Sequence, residues 1–198
     1  MSFTSPAWHG VPVVAVASGE GRHGWGWLDC EQARGWPEPV PRIAAEGWQR
    51  FEERAPADVH SLVGDLHHDL DPLVRAARAT PQTFLHGDWN LGNLGERPDG
   101  RTVLLDWSYP GAGPVAHDLA WYLALNRARL PESKEASIDA LGAAQADRGI
   151  PLEGWWAAQV DLCLLGALVQ FGWEKALGDG DELAWRCERA REGARRLA

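Results

Sequence analysis

Positive charge is scarce in this chain. Its 19 Lys and Arg face 28 Asp and Glu, for a formal charge of −9 over 198 residues, and only Lys134 and Lys175 are lysines. Nucleic-acid backbones call for a basic face, so the expectation is no nucleic-acid partner. The basic cluster Arg186, Arg189, Arg191, Arg195 and Arg196 is interleaved with Glu188 and Glu192. It reads as a solvated helix face laced with i,i+4 charge pairs. Cysteine is also rare. Cys30, Cys163 and Cys187 are odd in number, widely spaced and form no CxxC, which argues against a disulfide framework or a zinc site. No long apolar run is present, because Trp155 to Phe171 is broken by Gln159, Asp161 and Gln170. Such a stretch is too short and too polar to span a bilayer. No basic-flanked apolar segment opens the chain as a signal peptide would. The resulting expectation is a cytoplasmic protein with no membrane partner.

Other features are abundant. The 12 tryptophans run from Trp8 to Trp185 and so form no single aromatic box. Hydrophobic residues at 45% and charged residues at 24% suit one globular domain, or one large lobe of a two-lobed protein. Residues 1 to 42 are rich in Gly, Pro and Trp and read as an irregular N-terminal segment. Within it, Val11 to Ala17 can form a strand and Pro37, Pro39 and Pro41 mark a linker. Residues 43–54 predict a helix. Residues 58–79 predict another, kinked or broken at Pro72. A short strand is expected at 82–85. The turn signal Pro98-Asp99-Gly100 predicts a hairpin whose second strand runs from Val103 to Asp106, and Pro110 to Pro114 reads as a loop. Helices are then expected near 116–129, 133–148, 152–177 and 180–197. The fold class is mainly α (α+β): helices frame a small β-hairpin that carries polar residues.

Those polar residues are His86-Gly87-Asp88-Trp89-Asn90-Leu91-Gly92-Asn93, followed by Leu104-Leu105-Asp106-Trp107. Asp88 stands in a glycine-containing loop after a strand, where an acid can take a proton from an attacking hydroxyl. Asn93 and Asp106 offer an amide oxygen and a carboxylate, hard ligands that suit magnesium. A hairpin between them can return the second acid to the first loop. Base, metal and phosphate then share one site, as phosphoryl transfer requires. Taken singly, each of these residues is an ordinary turn residue. The combination is what carries the signal.

This pattern, continued by Gly113-Pro114 and His117-Asp118-Leu119-Ala120, resembles the catalytic loop and metal-binding segment of the aminoglycoside phosphotransferase and choline kinase superfamily. The resemblance spans roughly residues 45 to 195. It implies a protein-kinase-like C-terminal lobe over 43–198, with residues 1–42 as an N-lobe remnant or linker. It makes Asp88 the catalytic base and His86 the residue that orients its loop. Asn93 and Asp106 become the ligands of Mg2+ and of ATP, and Asp118 becomes a structural anchor. The acceptor implied is a small molecule with a hydroxyl, aminoglycoside-like or otherwise polar or cationic.

That family also has an N-terminal lobe with a lysine for the nucleotide phosphates. No lysine precedes Lys134, and the planar fork of Arg22, Arg34 or Arg42 does not replace one. The N-terminal lobe is therefore expected to be absent or severely reduced. Three readings stay open. The chain is an ATP-dependent kinase; or it is an inactive C-lobe remnant, or a fragment, that self-associates or meets a partner chain; or Gly19, Gly21 and Gly24 mark a dinucleotide site. His67-His68 reads as a solvated helix face. Trp121-Tyr122 and Trp155-Trp156 read as helix-packing residues, the helices after the metal strand often shaping the acceptor pocket in this family. Asp161, in an apolar helix, reads as an acceptor-pocket acid or as a capped or surface carboxylate.

Overall fold

A computed structural model describes residues 39–126 and 129–197. The expected strand at 11–17 and the glycines at 19, 21 and 24 lie outside the described residues. Among the described residues seven α-helices and four short strands follow one another: α1 Pro39–Arg54, α2 Ala57–His68, α3 Asp71–Arg78, β1 Gln82–Leu85, β2 Leu94–Glu96, β3 Thr102–Leu104, β4 Gly111–Pro114, α4 Ala116–Asn126, α5 Lys134–Ala146, α6 Trp156–Leu177 and α7 Gly180–Ala194. The fold is mostly helical with two small antiparallel sheets.

The long helix α6 is the axis of the fold. Fourteen of its 22 residues are buried and they point in every direction, the pattern of a helix surrounded by others. On one side Leu165 and Leu168 pack with Phe51, Val59, Leu73, Leu183 and Cys187 of α1, α2, α3 and α7. On another side Leu164 and Phe171 pack with Leu119, Leu123 and Ile138 of α4 and α5. Gly47, which looks costly inside a helix, lies where α1 meets α6. A Cβ there would sit 2.5 Å from the Trp173 carbonyl oxygen.

The expected 58–79 helix is two helices. Pro72 opens the second, at a position where its missing N–H costs nothing. Ser133 caps α5 by accepting from Ala136 N at 3.1 Å. The 110–114 stretch departs from expectation, because Gly111–Pro114 is a strand. It pairs antiparallel with β1 in the register Gln82↔Pro114 to Leu85↔Gly111. Its local composition favours a loop, but the free edge of β1 supplies the pairing and Pro114 sits at the strand end, where proline is tolerated. The 94–106 hairpin is present in the register Leu94↔Leu104 to Glu96↔Thr102. Its turn closes through Gly100 N to Arg97 O at 2.9 Å.

Candidate active site

β1 delivers the chain into the His86 loop. Leu85 and His86 are buried, and Gly87 has φ +82, a left-handed conformation that leaves no room for a Cβ against the Tyr109 carbonyl. The loop is tied down by α4. Asp118, buried in the first turn of that helix, accepts from His86 N at 2.9 Å through Oδ2. Its Oδ1 accepts from Gly87 N at 3.0 Å. Helix N-termini favour acids, so one carboxylate serves both its own helix and two backbone N–H groups of the loop. At the far end of α4, Asn126 Oδ1 accepts from Leu91 N at 3.0 Å. Asp118 therefore has the geometry of the structural anchor that the family resemblance implied.

His86 joins the loop to the second acid. Its Nε2 donates to the Leu105 carbonyl at 2.8 Å. That leaves Nδ1 as the acceptor facing Asp88 N, at 3.4 Å. Its ring packs on Trp107 with centroids 4.6 Å apart. Leu105 N in turn donates to the Asn93 carbonyl at 2.8 Å. Asp106 is thus held one residue from a backbone unit bonded to both His86 and Asn93. The expected strand to Asp106 stops at Leu104, because Asp106 has φ 53. Among the described residues it is the only non-glycine with positive φ. Aspartate tolerates this region better than most residues, and residues held there concentrate at functional sites. The Asp106 side chain is exposed, and its Oδ1 accepts from Ser108 Oγ.

Among the described residues, the donors to Asp88 are all neutral. Asn90 Nδ2 and Trp121 Nε1 each reach Oδ1 at 3.0 Å, and Asn93 Nδ2 reaches Oδ2 at 2.8 Å. Asn93 Nδ2 also donates to the Asp88 carbonyl at 3.0 Å. The structure therefore gathers His86, Asp88 and Asn93 in one hydrogen-bonded loop and brings the Asp106 backbone beside it, with no direct contact of the Asp106 side chain on Asp88 or Asn93. Asn90 and Asn126 went unrecognised in the sequence, and Trp121 was read as a packing residue. The usable signal was α4 itself. Asp118, Trp121 and Asn126 lie within one broad side of the helix, and Asn126, like Asp118, is a buried polar residue on a mostly apolar element.

Three other sequence expectations are corrected. His67 is not on a solvated face: its Nε2 is 2.8 Å from the Val169 carbonyl, its ring meets Trp48 edge-on, and burial lowers its pKa. Asp161 is not a surface carboxylate but one capped by an arginine. It is buried between α6 and the chain end and pairs with Arg196 at 3.1 Å; burial raises its pKa and Arg196 opposes that rise. Arg186, expected on a solvated face, is 1% exposed.

Comparison with known proteins shows the family. The model of the phosphotransferase enzyme family matches residues 7–155. The chain belongs to that family. The match begins well before the boundary at residue 42 suggested by composition, and it ends just before α6. No curated protein and no solved structure matches the chain. Among the described residues, no helix is long and apolar enough to cross a membrane.

Proposed function

We propose that the chain moves the γ-phosphoryl group of ATP to a hydroxyl of a small polar or cationic acceptor, on a protein-kinase-like C-terminal lobe. The single observation that carries this reading is the state of Asp88: a carboxylate held by three neutral donors, with no cation on it among the described residues and lone-pair capacity to spare. Such a group is still a base. In the proposed step the acceptor oxygen bonds to the γ-phosphorus and its proton passes to Asp88. The bond from the γ-phosphorus to the bridging oxygen breaks, and ADP leaves with that electron pair. His86 and Asp118 keep the loop in place during the step, which is the positioning that phosphoryl transfer relies on.

The donor set fits a magnesium ion. Asn93 commits its Nδ2 to Asp88, which turns Oδ1 away as an oxygen ligand, and Asp106 keeps a carboxylate oxygen beyond the one bonded to Ser108. Magnesium takes one or two protein oxygens and leaves its remaining positions to water and phosphates. Asn93 and Asp106 would hold the ion, which when bound neutralises phosphate charge.

A second reading rests on the lysines. Lys134 donates to Glu182 at 2.7 Å and Lys175 to the Ala124 carbonyl at 2.5 Å. Both are thereby tied to the helical core, and neither serves a nucleotide. An incomplete kinase that needs a second chain is the alternative this favours. Calorimetric titration of Mg-ATP into the parent and into Asp106→Asn separates the two. Binding that depends on Asp106 supports phosphotransfer by this chain. Absence of binding at millimolar Mg-ATP supports the incomplete kinase.

A further inference from the structure

We propose that Trp121 is a positioning residue that makes Oδ2 of Asp88 the oxygen that takes the proton. The inference rests on the phosphotransfer reading above and goes beyond it.

An ionised carboxylate has about four acceptor sites, two on each oxygen. Asn90 Nδ2 and Trp121 Nε1 fill both sites on Oδ1, each at 3.0 Å. Asn93 Nδ2 fills one site on Oδ2 at 2.8 Å. Among the described residues a single acceptor site is left, and it is on Oδ2. Of the three donors, Trp121 is the one whose direction the loop does not control. An amide can turn its oxygen toward a neighbour, whereas an indole nitrogen only donates.

The placement of the indole is set by the helical core. Its ring meets Phe171 of α6 edge-on, with centroids 4.9 Å apart and planes at 85°. The neighbouring α4 residues Leu119, Ala120 and Leu123 are buried against α6. The donor is therefore in position before any substrate arrives, and core packing holds it there. Without the indole N–H, Oδ1 regains an acceptor site and competes for the proton. The carboxylate also loses a restraint on rotation about its Cβ–Cγ bond. Phosphoryl transfer depends on alignment, so the loss falls on turnover more than on nucleotide binding.

The test uses the whole chain with Mg-ATP as probe and water as acceptor, so that the products are ADP and inorganic phosphate. Trp121→Phe keeps a ring against Phe171 and removes the donor. The expected result is a roughly tenfold fall in kcat, with KM for Mg-ATP within about twofold of the parent. A second measurement needs no turnover. The indole N–H resonance of Trp121, assigned as the signal missing from Trp121→Phe, should move upfield in Asp88→Asn, because the charged acceptor is gone. A parental kcat in Trp121→Phe overturns the proposal, and so does an indole signal that Asp88→Asn leaves in place. The first of those results requires a parent that hydrolyses ATP, so there the phosphotransfer reading stands; the second leaves that reading to the parent's own turnover of Mg-ATP. A parent that neither binds nor hydrolyses Mg-ATP overturns that reading and this proposal with it.

Discussion

Two polar networks meet on α4 and differ in what surrounds their carboxylates. At the loop-facing side Asp88 is bonded by two amides and an indole, all neutral. At the other end, buried Glu182 receives Arg186 Nε on Oε1 at 2.9 Å and Lys134 Nζ on Oε2 at 2.7 Å. Burial alone would raise the Glu182 pKa, but Arg186 and Lys134 outweigh it and hold the group below its ordinary value. The same cluster caps α4: Arg186 Nη2 donates to the Leu123 carbonyl at 2.8 Å and Lys175 Nζ to that of Ala124. Cations belong at such a helix end, where carbonyls lack intrahelical partners. The contrast separates two uses of a carboxylate. Paired with cations and sealed from water, it is structural. Given only neutral donors among the described residues, it keeps an open acceptor site. α4 connects the two, because the sealed cluster fixes the helix that in turn holds the loop.

The sharpest way to break this comparison is Asp88→Asn. ATP turnover should fall by about a thousandfold, the usual scale for a positioned base, while the melting midpoint stays near the parent value. Parental turnover would remove Asp88 from the chemistry. Glu182→Ala should do the reverse, leaving Lys134 and Arg186 without their shared anion. Loss of one partner from a buried pair costs about 3–5 kcal/mol, which urea denaturation would detect; a variant as stable as the parent would show that the cluster is dispensable. Asp118→Asn lies between the two. One backbone N–H of the loop would then face an amide nitrogen, at a cost of about 1.5–3 kcal/mol. Amide exchange at His86 and Gly87 should rise, and unchanged exchange would mean the loop is held by something else.

The pH dependence of stability follows from Glu182. Its folded pKa lies below the ordinary 4.5, so its stabilisation is complete above that value and is lost as pH falls through the folded pKa. Melting midpoints compared at about pH 6 and about pH 3.5 should drop less in Glu182→Gln than in the parent. An equal drop in both would assign the acid sensitivity to other groups. The smallest effect is expected on the surface. Arg191 holds the Asp58 carboxyl below its usual range, yet the pair is exposed and screened. Asp58→Ala should leave the midpoint within experimental error, and a clear shift would show that this contact between α2 and α7 matters more than its exposure suggests.

Much of this was legible from residue order. The helical segments follow apolar periodicity, the turn at Pro98-Asp99-Gly100 follows its composition, and the Asp88, Asn93 and Asp106 spacing pointed to phosphoryl transfer before any geometry was known. The β4 strand was not legible, because Gly111–Pro114 has no strand propensity and depends on a partner some thirty positions earlier. Nor was the role of Arg186. In sequence it is one arginine among five near the chain end, and only the packing of α7 against α6 and α4 separates the buried one from the half-buried and exposed ones.

Residue order by itself determined which groups are available: an acid, an amide and a second acid at the spacings of a loop and a hairpin, and only two lysines in the chain. These are local facts, written in neighbours a few positions apart. Tertiary structure decided what each group does. It turned Trp121 from a packing residue into a donor on Asp88, gave Asp118 the two N–H groups of His86 and Gly87, and drew both lysines into the helical core. The physical reason is that a carboxylate takes its character from the donors around it, and each of these three acids takes at least one donor from a segment far away along the chain.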